Sequence, residues 1–213
     1  MHDAKSDAEA MVSTPWSGGA SPFAINSKKF GMWLFIVSDT LTFSALLLAY
    51  TYERLANPDW PRPFEIFPSI ANATFMTVVL LASSLTMVLG VAAAHRNDRK
   101  SAVRWLLFTA LGGILFDILH LREWFKLFAE GYTALGTPEG VPLFGATFFA
   151  ITGMHMTHVT IGVIYLIIVA VGYARGKFDA DDVEVSGLYW HFVDLVWMFV
   201  FPMIYLMSIN LKG

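Results

Sequence analysis

Residues 143–173 read "LFGATFFAITGMHMTHVTIGVIYLIIVAVGY", a run without one Asp, Glu, Lys or Arg. About 20 apolar residues suffice to cross the hydrocarbon core of a bilayer as a helix. A helix on the surface of a soluble protein alternates an apolar stripe with a charged face, and this run has no such face. Four further apolar runs of spanning length occur at about 30–53, 70–94, 103–127 and 187–210. The expected fold is therefore all-α, a polytopic membrane bundle of five transmembrane helices. Pro68 and Pro142 stand where helices begin, a position that tolerates proline. Pro202 lies inside the last run, removes a backbone donor and is expected to kink it.

Composition supports a chain whose solvent is mostly lipid. Of 213 residues 56% are hydrophobic and 15% charged. The net charge of -3 gives no electrostatic footprint for nucleic acid. The chain has no cysteine, which excludes disulfides, thiolate zinc sites, iron–sulfur clusters and copper centres bridged by cysteine sulfur. Residues 1–28 form a polar N-terminal tail lacking the apolar core of a secretory signal, and 29–213 form the five-helix domain. Five spans place the ends of the chain on opposite sides. Nine Lys and Arg (Lys5, Lys28, Lys29, Arg96, Arg99, Lys100, Arg104, Arg175 and Lys177) fall on the side of the N-terminus. Five (Arg54, Arg62, Arg122, Lys126 and Lys212) fall on the other. The bias places the N-terminus in the cytoplasm and the C-terminus outside.

Polar residues inside the spans are the candidate functional groups. His155 and His158 are three apart and share a helix face; His120 with Glu123 and His191 with Asp194 repeat that spacing. Such pairs suggest a metal site, whose ligands must lie about 2.0–2.2 Å from one ion. Counted along the spans, His120 and Glu123 lie near the outer end of the third and His191 and Asp194 near the inner end of the fifth. These two pairs differ in depth by roughly 20 Å. With His155 and His158 placed near the middle of the fourth span, three pairs at three depths make no single site. Hydrogen bonding between helices is the reading that remains. Trp105, Trp124, Trp190 and Trp197 read as anchors at the membrane interface, and "SSLT" at 83–86 as small hydroxyls for close packing. Two acids stand apart: Asp39 in "IVSDTLTF" and Asp117 in "LFDILHLRE" lie deep among apolar side chains, where a carboxylate is costly unless paired. Asp39 is expected to face a neighbouring subunit.

Five segments together resemble one family. They are "WLFIVSDTLTFSALLLAY" (33–50), "PSIANATFMTVVLLASSLT" (68–86), "LHLREWFKL" (119–127), "ITGMHMTHVTIG" (151–162) and "YWHFVDLVWMFVFPMIYL" (189–206). Their order and spacing resemble subunit III of the haem–copper oxidases, the cytochrome c oxidase type, over about residues 30–210. The chain departs from that pattern in places. The family's carboxylate in the first of these helices is usually Glu, where Asp39 stands, and Gln is usual at the position of His120. Asp117 has no counterpart. Some members carry two additional helices before this point, with a lipid-holding cleft between them and the rest; the present chain resembles the five-helix form.

The resemblance implies a subunit that performs no redox chemistry itself. Haems and copper are then held by partner subunits I and II, and this chain holds no cofactor, metal or catalytic residue. It would pack against subunit I, contact membrane phospholipids, meet cytochrome c only through the complex and support proton uptake during turnover. Its place would be the bacterial inner membrane. Two alternatives stay open. One is the same subunit of a quinol oxidase or a nitric oxide reductase-associated homologue. The other is a membrane di-metal oxygenase, which needs about six converging ligands.

Overall fold

The computed structural model describes residues 27–210. Residues 1–26 of the expected tail, and Lys5 and Lys212 of the charge count, lie outside the described residues; Ser27 and Lys28, expected in the tail, begin the first helix. Five long helices account for most of the rest: α1 (Ser27–Ala56), α2 (Ala71–His95), α3 (Arg99–Ala129), α4 (Pro142–Ala174) and α5 (Ala180–Val200). In hydrocarbon a backbone must bond to itself, and the helix does so within one segment. All five helices, with the short turns that flank α2 and α5, are long and apolar enough to span a bilayer. Helices α1, α3 and α4 run past the apolar stretches that mark them at both ends, whereas α5 begins earlier than its stretch, at Ala180, and its flanking turns end at Ser208.

The helix starts follow local chemistry. Asp98 caps α3 by accepting the Ser101 backbone N–H, and hydrogen bonds from Ser101 hold its carboxyl below the usual range. Pro142 opens α4 where its missing N–H costs nothing. Asp179 and Asp182 form a reciprocal capping box at the start of α5. At Pro202 the disruption takes the form of a wide π turn, Phe201–Tyr205, which tightens into a 3₁₀ turn, Leu206–Ser208. Proline cannot supply the N–H that the α pattern needs there, so the ladder changes step.

Helices α2, α3, α4 and α5 pack in sequence, and α5 closes the ring against α2. Helix α1 lies outside this ring against α4 and α5 and buries only Phe43, Leu47 and Tyr50. The ring interior is aromatic. Trp190, Trp197, Phe64, Phe116, Phe148 and Tyr205 are almost fully buried. The outer surface carries Leu41, Leu48, Leu85, Leu111, Ile118, Ile161, Leu195 and Phe199, the opposite of a soluble protein and the natural face for lipid or another membrane subunit. Ion pairs at one end join Lys28 to Asp182 (2.6 Å) and Lys29 to Glu184 (2.9 Å), and His95 Nε2 lies 3.1 Å from Glu184. At the far end Tyr50 meets Ser208 at 2.9 Å, and Arg54 reaches the Met207 carbonyl. The two limits of the described chain thus lie at opposite ends of the bundle.

Gly113 shows how tightly the ring is filled. A Cβ there would stand 2.4 Å from Trp190 and 2.6 Å from Val163. Gly113→Ala should therefore destabilise the purified chain by about 1–3 kcal/mol, the usual effect of overpacking. Gly31→Ala, which meets nothing within 4 Å, should not lower stability. Thermal unfolding in detergent measures both, and equal midpoints would mean a looser interior than the one described.

Candidate functional site

The centre of the ring is a polar cluster set in aromatic rings. His120 of α3 and His155 of α4 both pack on Phe116 and on Trp197 of α5, with centroids 5.1–5.5 Å apart. The His155 Nε2 stands 3.1 Å from the Val193 carbonyl, a hydrogen bond from α4 to α5. The Trp197 indole donates to Thr77 Oγ1 of α2 at 2.9 Å. One turn above His120, Glu123 accepts from the Asn72 amide of α2 at 3.3 Å. All four ring helices therefore contribute to one constellation.

A second group lies nearer the end where the chain enters. The Trp190 indole donates to Ser83 Oγ at 3.0 Å. Its neighbour Ser84 donates to Asp194 Oδ2 at 2.7 Å and lies 3.1 Å from His191 Nδ1. Thr86 and Thr109 bond at 2.8 Å between α2 and α3. Trp190 and Trp197 are two turns apart on α5. They dock on hydroxyls six positions apart on antiparallel α2, so the two helices are pinned in register.

The deep acids each find a partner in this chain. Asp39 Oδ2 of α1 lies 2.7 Å from His158 Nε2 of α4, with both side chains mostly buried. His158 Nδ1 is 2.8 Å from the Met154 carbonyl and so carries a proton toward it. Asp117 of α3 meets Thr160 Oγ1 of α4 at 2.9 Å, near mid-depth and on the outer side of the ring.

These positions correct several expectations. Asp39 reaches His158 rather than pointing only to another subunit. His120 and His155 share a depth: counted from the same end of the bundle, they lie about 32 and 29 Å along antiparallel helices. Position relative to the ends of apolar runs of unequal length, 103–127 and 143–173, hides this, although counted from their shared inner end the two histidines lie 17 and 18 residues along. Trp190 and Trp197 are interior hydrogen-bond donors rather than interface anchors, because an indole N–H in hydrocarbon needs an acceptor and Ser83 and Thr77 supply one. Asn72, Thr77 and Thr160 went unmarked as partners. The available signal was their occurrence in spans that face His or acid on a neighbouring helix. Among the described residues no three His, Asp or Glu side chains are grouped so as to hold a metal ion.

A family profile described as cytochrome c oxidase subunit III matches residues 9–209. The chain is 33% identical to cytochrome c oxidase subunit 3 of Synechocystis over 185 residues, covering 84% of this chain and 76% of that one. It is 32% identical to cytochrome bo(3) ubiquinol oxidase subunit 3 of Pseudomonas aeruginosa over 182 residues, 84% of each. It is 31% identical to quinol oxidase subunit 3 of Bacillus spizizenii over 183 residues, 84% of this chain and 87% of the relative.

The Asp39–His158 contact gives a graded prediction. Asp39→Asn should lower stability by about 1 kcal/mol or less, because an amide still donates to imidazole. Asp39→Lys sets an ammonium against His158 and should cost roughly 3 kcal/mol or more. Recovery of folded chain and its unfolding midpoint in detergent check the order; equal behaviour of the two variants would mean that the pair does not bind α1 to α4.

Proposed function

We propose a role for this chain from the premise that it belongs to the cytochrome c oxidase subunit III family. It is thus a multi-pass membrane subunit of a haem–copper oxidase, whose electron donor is cytochrome c or a quinol. The role proposed is that of a non-redox subunit. It holds subunit I in shape and supports proton delivery to it, while subunits I and II carry haems and copper. We take cytochrome c as the donor, in keeping with the family description. The similarity to quinol oxidase subunits makes quinol the alternative.

One observation carries this reading. Five pairs of polar groups within the spans engage each other across helices: Thr77 with Trp197, Ser83 with Trp190, Ser84 with Asp194, Asn72 with Glu123 and Asp39 with His158. A membrane di-metal oxygenase would need its ligands to converge, and His191 with Asp194 sits apart from His120 with Glu123. What the bundle offers outward is a broad apolar surface, suited to support a larger membrane subunit and to shape water access at its edge. The N-terminus is assigned to the cytoplasm by the Lys and Arg bias, and the setting to the bacterial inner membrane.

Removal of this chain from the purified oxidase should leave the haem spectrum and the initial rate nearly intact. Activity should then fall over successive turnovers, because slower proton supply prolongs reactive intermediates at the oxygen site. Spectra and rates followed with and without the chain test this. Immediate loss of the haem spectrum would make the chain part of a cofactor site, and unchanged durability would remove the proton-delivery role.

A further inference from the structure

We propose that the groove between α3 and α4, at the end of the bundle where α3 begins, binds an anionic phospholipid. Its phosphate would sit on Lys100 and Arg104, and an acyl chain would lie along Leu107, Leu111, Ile114 and Ile167. The groove has a volume of about 560 Å³, and no acidic residue lines it. Both cations are exposed at its rim.

The geometry matches one leaflet. From Arg104 to Ile114 the groove extends about 15 Å along α3, half of the roughly 30 Å hydrocarbon core. The cations therefore lie at headgroup level when the apolar floor lies in hydrocarbon. Beyond Ile114, one turn deeper, the Asp117–Thr160 contact joins α3 to α4 at 2.9 Å and lies past the end of the floor. Basic side chains at the mouth of a groove between spans are suited to lipid phosphate.

Charge separates this groove from the others. The α1–α5 groove, about 400 Å³, is lined by no charged residue. The α2–α5 groove places His95 at its mouth, but Glu184 lies 3.1 Å from that ring. At the α3–α4 groove the acid nearest in sequence, Asp98, accepts the Ser101 backbone N–H as the helix cap. Arg104 has a long contact to the Ser101 hydroxyl at 3.4 Å, which leaves most of its guanidinium donors for a phosphate. No residue of α1 lines the groove, so it differs from a cleft formed ahead of α1.

Native mass spectrometry of the full chain, purified in mild detergent with equal phosphatidylglycerol and phosphatidylethanolamine, tests the assignment. The parent should retain phosphatidylglycerol in preference. Lys100→Gln with Arg104→Gln should reduce that preference by roughly 30-fold, the value expected of two basic side chains beside an anionic lipid. Arg122→Gln, near the other end of α3, should not. Ile114→Trp fills the floor and should lower retention of both lipids while the cations remain. Equal retention of the two lipids by the parent, or phosphatidylglycerol retention unchanged in both groove variants, overturns the proposal. Displacement of the lipid by excess inorganic phosphate also overturns it, since the site would then read phosphate alone. So does cross-linking of Leu111 to a neighbouring subunit in the intact complex without retained lipid, which would make the groove a protein interface.

Discussion

The Trp197 indole bonds to Thr77 at the centre of the ring, where neither side chain has water to turn to. Within a bilayer a side-chain donor satisfies itself on protein or not at all. That constraint organises this bundle more than apolar packing does, because lipid tails solvate Leu and Ile as well as another helix can. Several buried Trp, His and acid side chains therefore fix a particular neighbour, whereas His120 is held by ring packing alone, with neither ring nitrogen hydrogen-bonded. Trp197 and Trp190 fix α5 on α2, His155 fixes α4 on α5, and Asn72 with Glu123 fixes α2 on α3. Small residues such as Gly113 then let the aromatic rings approach.

The same constraint separates ring from satellite. Four helices share the central cluster, whereas α1 has a narrow buried stripe and one deep polar contact, Asp39 to His158. At the entry end it is held by Lys28 and Lys29 on the acidic start of α5. These pairs are partly exposed and individually weak in water, so they set position more than stability. A fixed ring with one less embedded helix is in keeping with the proposed role of supporting a larger neighbour. Its polar interior is used to hold its own shape, and its apolar exterior is what a membrane partner or lipid meets.

The five spans were legible because apolar runs without charge have one stable solution in a bilayer. That Asp39, His155 and His158 need partners was also legible, since buried polar groups in spans are costly without them. What the sequence could not supply was the partner. The pairing of Asp39 with His158 depends on α1 lying against α4, a fact of packing rather than of spacing along either helix. Likewise, His120 meets His155 only because α3 and α4 overlap beyond their apolar midpoints. Trp190 and Trp197 mislead for a related reason: a tryptophan near the end of an apolar run suits the interface unless a hydroxyl waits on the next helix. Ser83 and Thr77 were visible in the sequence, but their alignment with those tryptophans was not.

The most direct test of hydrogen-bonded ties as the organising element is a double-mutant cycle on Thr77→Val and Trp197→Phe, read by reversible unfolding in detergent. Membrane hydrogen bonds contribute about 0.6 kcal/mol on average and about 1.7 kcal/mol at most. The account predicts a coupling of about 0.5–1.5 kcal/mol, the double variant being less destabilised than the sum of the single ones. Additive losses, with no coupling between Thr77 and Trp197, would contradict it.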